Sequence, residues 1–165
     1  MGRTSNKTIY IGGDHAGFEL KQKMSAYLKL QGYTIKDFGA HEYNPDDDYP
    51  DFVIPVAGAV AKKKGAFGIA VCGTGDGACI AANKVKGVRA AFVNSKAIAY
   101  SARHHNGANV LCLGGGATQD HTTRGLGLTF VKAKPIIDIF LSTPFSGAPR
   151  HVRRLKKIAK YEKLT

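Results

Sequence analysis

The stretch that most constrains the fold is AFGIAVCG, residues 66–73, which is apolar from end to end. A strand with one solvent-facing side alternates apolar and polar residues, whereas a strand buried on both faces does not. Residues 66–73 therefore predict a central strand of a parallel sheet that is covered by helices on both sides.

Shorter apolar runs alternate with helical patterns along most of the chain. We predict further strands at 7–13, 33–39, 88–94 and 109–116. Helices are predicted at 17–32, from a cap at Asp51 to about 64, from about 78, and at 95–106 with Ser95 as the cap. This alternation implies right-handed crossovers. The sequence therefore predicts an α/β fold, a three-layer sandwich with a five-stranded parallel sheet.

The end of the chain is predicted to be helical. We expect a helix from about Asp120 to Lys132, a short helical segment between Pro135 and Pro144, and a basic helix from near Arg150. The 165 residues show no internal sequence repeat and no linker-like stretch that would mark a domain boundary. We therefore expect a single domain over residues 1–165.

The formal net charge of +12 favours an anionic partner. Much of this charge lies between Arg150 and Lys163, where a solvated helix face is the simpler explanation. The chain carries no recognised nucleic-acid motif, so a nucleic-acid partner is not expected. No apolar run reaches the roughly 18 residues that cross a bilayer, and the first residues lack the apolar stretch of a signal peptide. We therefore expect a cytoplasmic protein with no membrane partner.

The cysteines are Cys72, Cys79 and Cys112, an odd number without a CxxC pair. This pattern argues against a disulfide framework or a zinc site and predicts reduced thiols.

Cys72 begins the most distinctive loop, CGTGDG at residues 72–77. Gly73, Gly75 and Gly77 expose main-chain N–H groups at the start of a helix, an arrangement that binds anions. The alternative is a tight connection between a strand and a helix. The loop matches neither a phosphate-binding GK[ST] loop nor a GxGxxG dinucleotide motif, which disfavours a nicotinamide cofactor. We expect the N–H groups and nearby cations to lower the pKa of Cys72, making it a nucleophile or general base beside an oxyanion site.

Two other segments place polar residues near strand or helix ends. Asp14 and His15 follow the first strand, at the same edge of the sheet as Cys72, where a capping aspartate and a surface histidine are the alternative to a catalytic role. His104, His105 and Asn106 end a predicted helix, where favourable interaction with the helix dipole is the alternative to a catalytic role. No carboxylate or second histidine lies four residues after His104 or His105, so a metal site is not expected there.

Five segments together resemble the ribose-5-phosphate isomerase B family: GGDHAGF, DYPDF, CGTGxG with IAANKVxGVRAA, HNxANV, and TPFSGxxRHVRRLxKI. They occur in the family's order from about residue 9 to 160. The related galactose-6-phosphate isomerase subunits share the fold and the glycine loop, but the RHHN segment and the terminal arginines are more similar to the ribose enzymes.

The resemblance implies interconversion of D-ribose 5-phosphate and D-ribulose 5-phosphate, in the non-oxidative pentose phosphate branch, with no metal and no cofactor. It implies that Cys72 removes the C2 proton and that Thr74 assists proton transfer at the substrate oxygens. The N–H groups of Gly73, Gly75 and Gly77 would hold the enediolate. The remaining implied roles are ring opening and hydroxyl binding by Asp14 and His105, sugar positioning by Asn106, phosphate binding by His15, Arg150 and Arg154, and pocket lining by Tyr49.

The resemblance also implies a Rossmann-like fold whose active sites are shared between subunits. The expected assembly is a homodimer or a dimer of dimers, with the C-terminal helix extending to a partner subunit.

Four positions depart from the family pattern. Asp76 replaces an apolar residue, Cys79 a serine, Gly107 the aspartate of HNDAN, and Gly116 an arginine that follows the fifth strand. We expect Asp76 to point outward and cap the following helix. The missing arginine leaves open a six-carbon substrate, allose 6-phosphate or galactose 6-phosphate. A non-catalytic sugar-phosphate-binding relative is a further alternative.

Overall fold

The computed structural model describes residues 7–116 and 125–164. Within them five strands form one parallel sheet in the order β2-β1-β3-β5-β4. The strands are β1 (Thr8–Gly13), β2 (Thr34–Asp37), β3 (Phe67–Cys72), β4 (Ala90–Phe92) and β5 (Val110–Gly114). The helices are α1 (Phe18–Leu30), α2 (Tyr49–Lys62), α3 (Asp76–Ala82), α4 (Lys96–His104), α5 (Phe130–Ser142) and α6 (Pro149–Glu162). The α/β prediction is confirmed.

Strand β3 is buried along its whole length, as its sequence predicted. Its side chains divide between two cores because successive residues of a strand point to opposite faces. Ile69 and Val71 pack with the face covered by α1, α4 and α5. Ala70 and Cys72 pack with the face covered by α2 and α3. Cys72 is the last residue of β3, so its thiol lies at the carboxyl edge of the sheet, beside α3.

The helix that follows β5 differs from the prediction. Residues 120–124 of the predicted helix lie outside the described residues, residues 125–129 are not helical, and α5 begins at Phe130. Pro135 lies inside α5 and does not limit it. A proline inside a helix costs about 3 kcal/mol, whereas each large apolar side chain that α5 buries contributes about 1.5–3 kcal/mol. The buried side chains are Ile136, Ile137, Phe140 and Leu141.

Two other helix starts also differ from the predictions. Helix α2 starts at Tyr49 after an extended Asp48, and Asp51 lies in its first turn. Helix α3 starts at Asp76, with Gly75 as the preceding residue.

Helix α6 is the element least packed on its own chain, and His151 is its one buried residue. Three large apolar side chains near its end, Ile158, Tyr161 and Leu164, are exposed.

Candidate active site

The loop after β3 wraps main-chain donors around the Cys72 thiol. The Gly75 N–H donates to Sγ across 3.2 Å, and the N–H groups of Thr74 and Ala78 also interact with it. Gly75 has a φ of +95°, and a Cβ there would lie 2.8 Å from the Phe92 ring. Only glycine therefore combines this left-handed conformation with the close approach of β4.

The prediction of a lowered Cys72 pKa is wrong for the single chain. Burial raises the pKa of the thiol, the nearby Asp14 carboxylate raises it further, and the N–H donors oppose this only in part. The predicted donors are present, but within the described residues the main influences on the thiol are burial, main-chain donors and Asp14, and none of these is a cation. Desolvation therefore outweighs the loop dipoles.

Asp14 and His15 follow β1 at the same edge of the sheet. The Asp14 Oδ1 accepts a hydrogen bond from the Gly17 N–H across 3.1 Å, which caps a 3-10 turn over His15–Gly17. Burial raises the pKa of Asp14. This desolvated carboxyl group acts electrostatically on the Cys72 thiol.

Asp47, which sequence reasoning did not single out, holds His15 in place. Its Oδ1 lies 2.8 Å from the His15 Nδ1 and also accepts the His15 main-chain N–H across 2.8 Å. Its Oδ2 is buried without a hydrogen-bond partner among the described residues. In the sequence, the only sign of Asp47 is the run of three aspartates at 46–48, which is typical of a polar loop. Its contact with His15 after β1 arises only on folding.

Tyr49, Thr74 and Gly77 also lie around the loop that follows Cys72. The Tyr49 ring lies against Gly77, where a Cβ would come within 2.8 Å of it. Thr74 is partly exposed, and its Oγ1 accepts from the Asp76 N–H across 3.4 Å. Gly73 connects to the β5 loop through its carbonyl, which accepts from the Gly116 N–H. We call Asp14, His15, Tyr49, Cys72 and the 73–77 loop the cysteine cluster.

The other predicted residues lie in a second group. The rings of His105 and His151 are 4.8 Å apart, and those of His104 and His105 are 5.4 Å apart. Burial lowers the pKa of His151, and the charges of Arg150 and Arg154 lower it further. Both arginines are exposed, as is Asn106. We call His104, His105, Arg150, His151 and Arg154 the histidine–arginine cluster.

The two clusters lie at opposite edges of the sheet. Cys72 is level with Gly114, the last residue of β5, while Ala108 and Asn109 precede its first residue. His105 lies at the end of α4, tied to this amino edge because the Ala108 N–H donates to the Ala102 carbonyl. Five strand residues span roughly 15 Å. One chain therefore does not bring Cys72 and His105 together.

The departures from the family pattern have distinct structural settings. Asp76 is exposed, as expected, but is the first residue of α3 and not its cap. Cys79 donates to the Ala90 carbonyl across 3.4 Å, and hydrogen bonding with Cys112 lowers its pKa to about 7. A Cβ at Gly116 would lie 2.8 Å from the Gly127 Cα, so the arginine of the family pattern does not fit this backbone.

Among the described residues, no three His, Cys, Asp or Glu side chains are grouped as metal ligands. No helix in the same part of the chain has both the length and the apolar character to cross a membrane.

Comparison with known proteins places this chain in a family. The family model for ribose/galactose isomerase matches residues 9–158. The ribose-5-phosphate isomerase B of Mycolicibacterium paratuberculosis is 43% identical over 155 residues, 94% of this chain and 91% of that protein. The Mycobacterium tuberculosis protein of the same name is 42% identical, over 96% of this chain and 92% of that protein.

Solved structures agree with the sequence comparison. Ribose-5-phosphate isomerase B from Mycoplasma genitalium with bound ribulose-5-phosphate has a TM-score of 0.88 and 42% identity, covering 98% of this chain and all of that one. The Clostridium thermocellum enzyme has a TM-score of 0.82 and 42% identity, covering 94% of this chain and 97% of the other. The chain therefore belongs to the ribose/galactose isomerase family and is an isomerase of the ribose-5-phosphate isomerase B type.

Proposed function

We propose that this isomerase interconverts D-ribose 5-phosphate and D-ribulose 5-phosphate by proton transfer through an enediolate, without a metal or organic cofactor. The proposal rests on one observation: the Cys72 thiol accepts hydrogen bonds from main-chain N–H groups of the glycine loop and is influenced by the nearby Asp14 carboxyl group. The likeness to relatives of that name, one of them solved with bound ribulose-5-phosphate, supports the same substrate pair.

Cys72 is the general base in this proposal. Its thiolate removes the C2 proton of the open-chain sugar, and the negative charge moves to the carbonyl oxygen. Fixed N–H donors stabilise such a charge without reorganising. We assign this role to Gly73, Gly75 and Gly77, with Thr74 assisting proton transfer at the substrate oxygens.

Ring opening needs a group that carries a proton to and from the sugar oxygens. Asp14 suits this role because burial raises its pKa, bringing the protonated form closer to working pH. We assign His105 to the same step and Asn106 to positioning the sugar. Tyr49 lines the pocket over the glycine loop.

The phosphate is held by His15 together with Arg150 and Arg154. The two arginines are four residues apart, so both project from one face of α6. A guanidinium group can donate two parallel hydrogen bonds to one phosphate, a geometry that the ammonium group of lysine does not provide.

We infer that the site is completed across a homodimer, alone or within a dimer of dimers. One chain separates the cysteine cluster from the histidine–arginine cluster by the length of the sheet. A second copy that presents its histidine–arginine cluster to Cys72 would supply the cations that the thiol lacks. The exposed apolar side chains of α6 suit contact with a partner subunit. The unpaired state of all three cysteines suits the cytoplasm.

The direct test is Cys72→Ala, assayed for turnover of ribose 5-phosphate and for its binding. We expect turnover to fall about 10³-fold or more, the upper range for loss of a general base, while the dissociation constant stays within about threefold of wild type. Cys79→Ser, on the next helix, is the matched control and should keep activity. Full turnover by Cys72→Ala would overturn the proposal.

A further inference from the structure

A strongly basic cavity lies at the amino edge of the sheet, away from Cys72. Its volume is about 510 Å³. It lies between the end of α2, the start of β3 and the turns that precede β4 and β5. Its lining contains five cationic residues and no acidic one: Lys62, Lys63, Lys64, Arg89 and Arg103. None of the residues assigned to the isomerase reaction lines it.

Both arginines are held by main-chain carbonyls, and Arg103 also packs on an aromatic ring. Arg89 donates from Nε and Nη2 to the Gly107 carbonyl, the latter across 2.8 Å. Arg103 donates from Nη1 to the Ala108 carbonyl, and its guanidinium lies 4.6 Å from the centre of the Phe67 ring. Side chains fixed in this way lose little further entropy when a ligand binds.

Within the described residues the cations of this cavity lack counter-charges. None of the five forms an ion pair there, and the Arg103 Nε is buried without a hydrogen-bond partner. Burial and the charge of Arg89 together lower the pKa of Arg103. The Glu162 carboxylate, which is outside the lining, accepts a hydrogen bond from the main-chain N–H of Gly87, a lining residue, across 3.3 Å. A bound anion would relieve this repulsion.

Gly107 explains why the charge is uncompensated in this chain. A Cβ at this position would lie 3.5 Å from the Arg89 Nη2. A carboxylate side chain there would meet the guanidinium, and an aspartate is the residue that the family pattern carries at this place. Its replacement by glycine removes the nearest candidate partner of Arg89.

We propose that this basic cavity binds a small molecule carrying two or more linked phosphate groups, at a site separate from the isomerase site. Five cations exceed what one phosphate group neutralises. The volume also falls within the usual range for small-molecule sites. A nucleic-acid backbone would contact an open basic stripe, whereas these cations surround a recess.

The test uses pyrophosphate as the probe and the full chain carrying Arg150→Ala and Arg154→Ala, which removes the two arginine contacts proposed for the substrate phosphate. Isothermal titration calorimetry should give one pyrophosphate per chain, bound at least about tenfold more tightly than inorganic phosphate. Lys62→Gln with Lys64→Gln should weaken binding about tenfold or more. The matched control, Lys29→Gln with Lys36→Gln, removes two exposed lysines elsewhere and should leave binding unchanged.

Gly107→Asp provides a second variant that adds a charge and removes none. Aspartate tolerates the left-handed conformation at this position, where φ is +54°. The added carboxylate should weaken pyrophosphate binding about tenfold. The proposal is wrong if binding is not saturable, if both lysine pairs weaken it equally, or if Gly107→Asp leaves it unchanged. Tighter binding of a single-stranded oligonucleotide than of pyrophosphate would also overturn it.

Discussion

The imidazole Nδ1 of His15 lies 2.8 Å from the Oδ1 of Asp47, and the same oxygen accepts the main-chain N–H of His15. The pair ties the acidic loop before α2 to the turn after β1. Because Nδ1 is occupied by Asp47, Nε2 is the ring nitrogen that remains for the proposed phosphate contact. Asp47 is therefore a positioning residue for the proposed phosphate contact.

Replacing Asp47 by alanine should weaken substrate binding more than it slows chemistry. A hydrogen bond to a charged group contributes about 1.5–3 kcal/mol, so we expect KM for ribose 5-phosphate to rise at least about tenfold with a smaller change in kcat. Steady-state kinetics measure this split. Asp46→Ala, which removes an exposed neighbouring carboxylate, should leave KM unchanged. A purely structural role for Asp47 would lower the melting temperature without this preference for KM.

Mixed dimers test whether the two clusters meet across subunits. Cys72→Ala and His105→Asn should each be inactive alone. If the site is shared, hybrid dimers contain one complete site out of two. Unfolding and refolding an equal mixture should therefore restore about one quarter of wild-type activity, since about half of the dimers are hybrids. No recovery, with hybrid formation shown by native mass spectrometry, would contradict a shared site.

The buried pair of Lys21 and Asp37 should respond unequally to removal of either partner. Lys21 is fully buried, whereas the Asp37 side chain is 24% exposed, and their Nζ and Oδ2 lie 2.7 Å apart. Asp37→Asn leaves a buried ammonium without its charge partner, which costs about 3–5 kcal/mol. Lys21→Met leaves a carboxylate that water reaches, so it should cost less. Urea unfolding compares the two free energies, and an equal or reversed order would contradict this assignment.

The histidine–arginine cluster should make stability depend on pH. Burial and the neighbouring positive charges lower the pKa of His151 in the folded chain. The unfolded state therefore binds the proton first as pH falls, so the stabilisation is present above about pH 6.5 and lost below it. Wild type should lose more melting temperature between pH 7.5 and 5.5 than His151→Gln does. Equal losses would exclude His151 as a cause.

The central strands were predictable because a strand that is buried on both faces is apolar throughout, as in residues 66–73. The loop after Cys72 was predictable because the glycines that form it, at 73, 75 and 77, are close together in the sequence. The start of α5 was not predictable. Pro135 suggests a helix boundary in the sequence, but the apolar surface that α5 buries on folding outweighs the cost of this proline. Asp47 and the direction of the Cys72 pKa shift depend on contacts and desolvation that arise only on folding.

The most direct test follows a hydrogen label at C2 of ribose 5-phosphate. With the wild-type protein, the label should pass into solvent or move to C1 as ribulose 5-phosphate forms, and with Cys72→Ala it should stay at C2. A label that remains at C2 in the presence of the wild-type protein, although ribose 5-phosphate binds, would contradict proton transfer by Cys72.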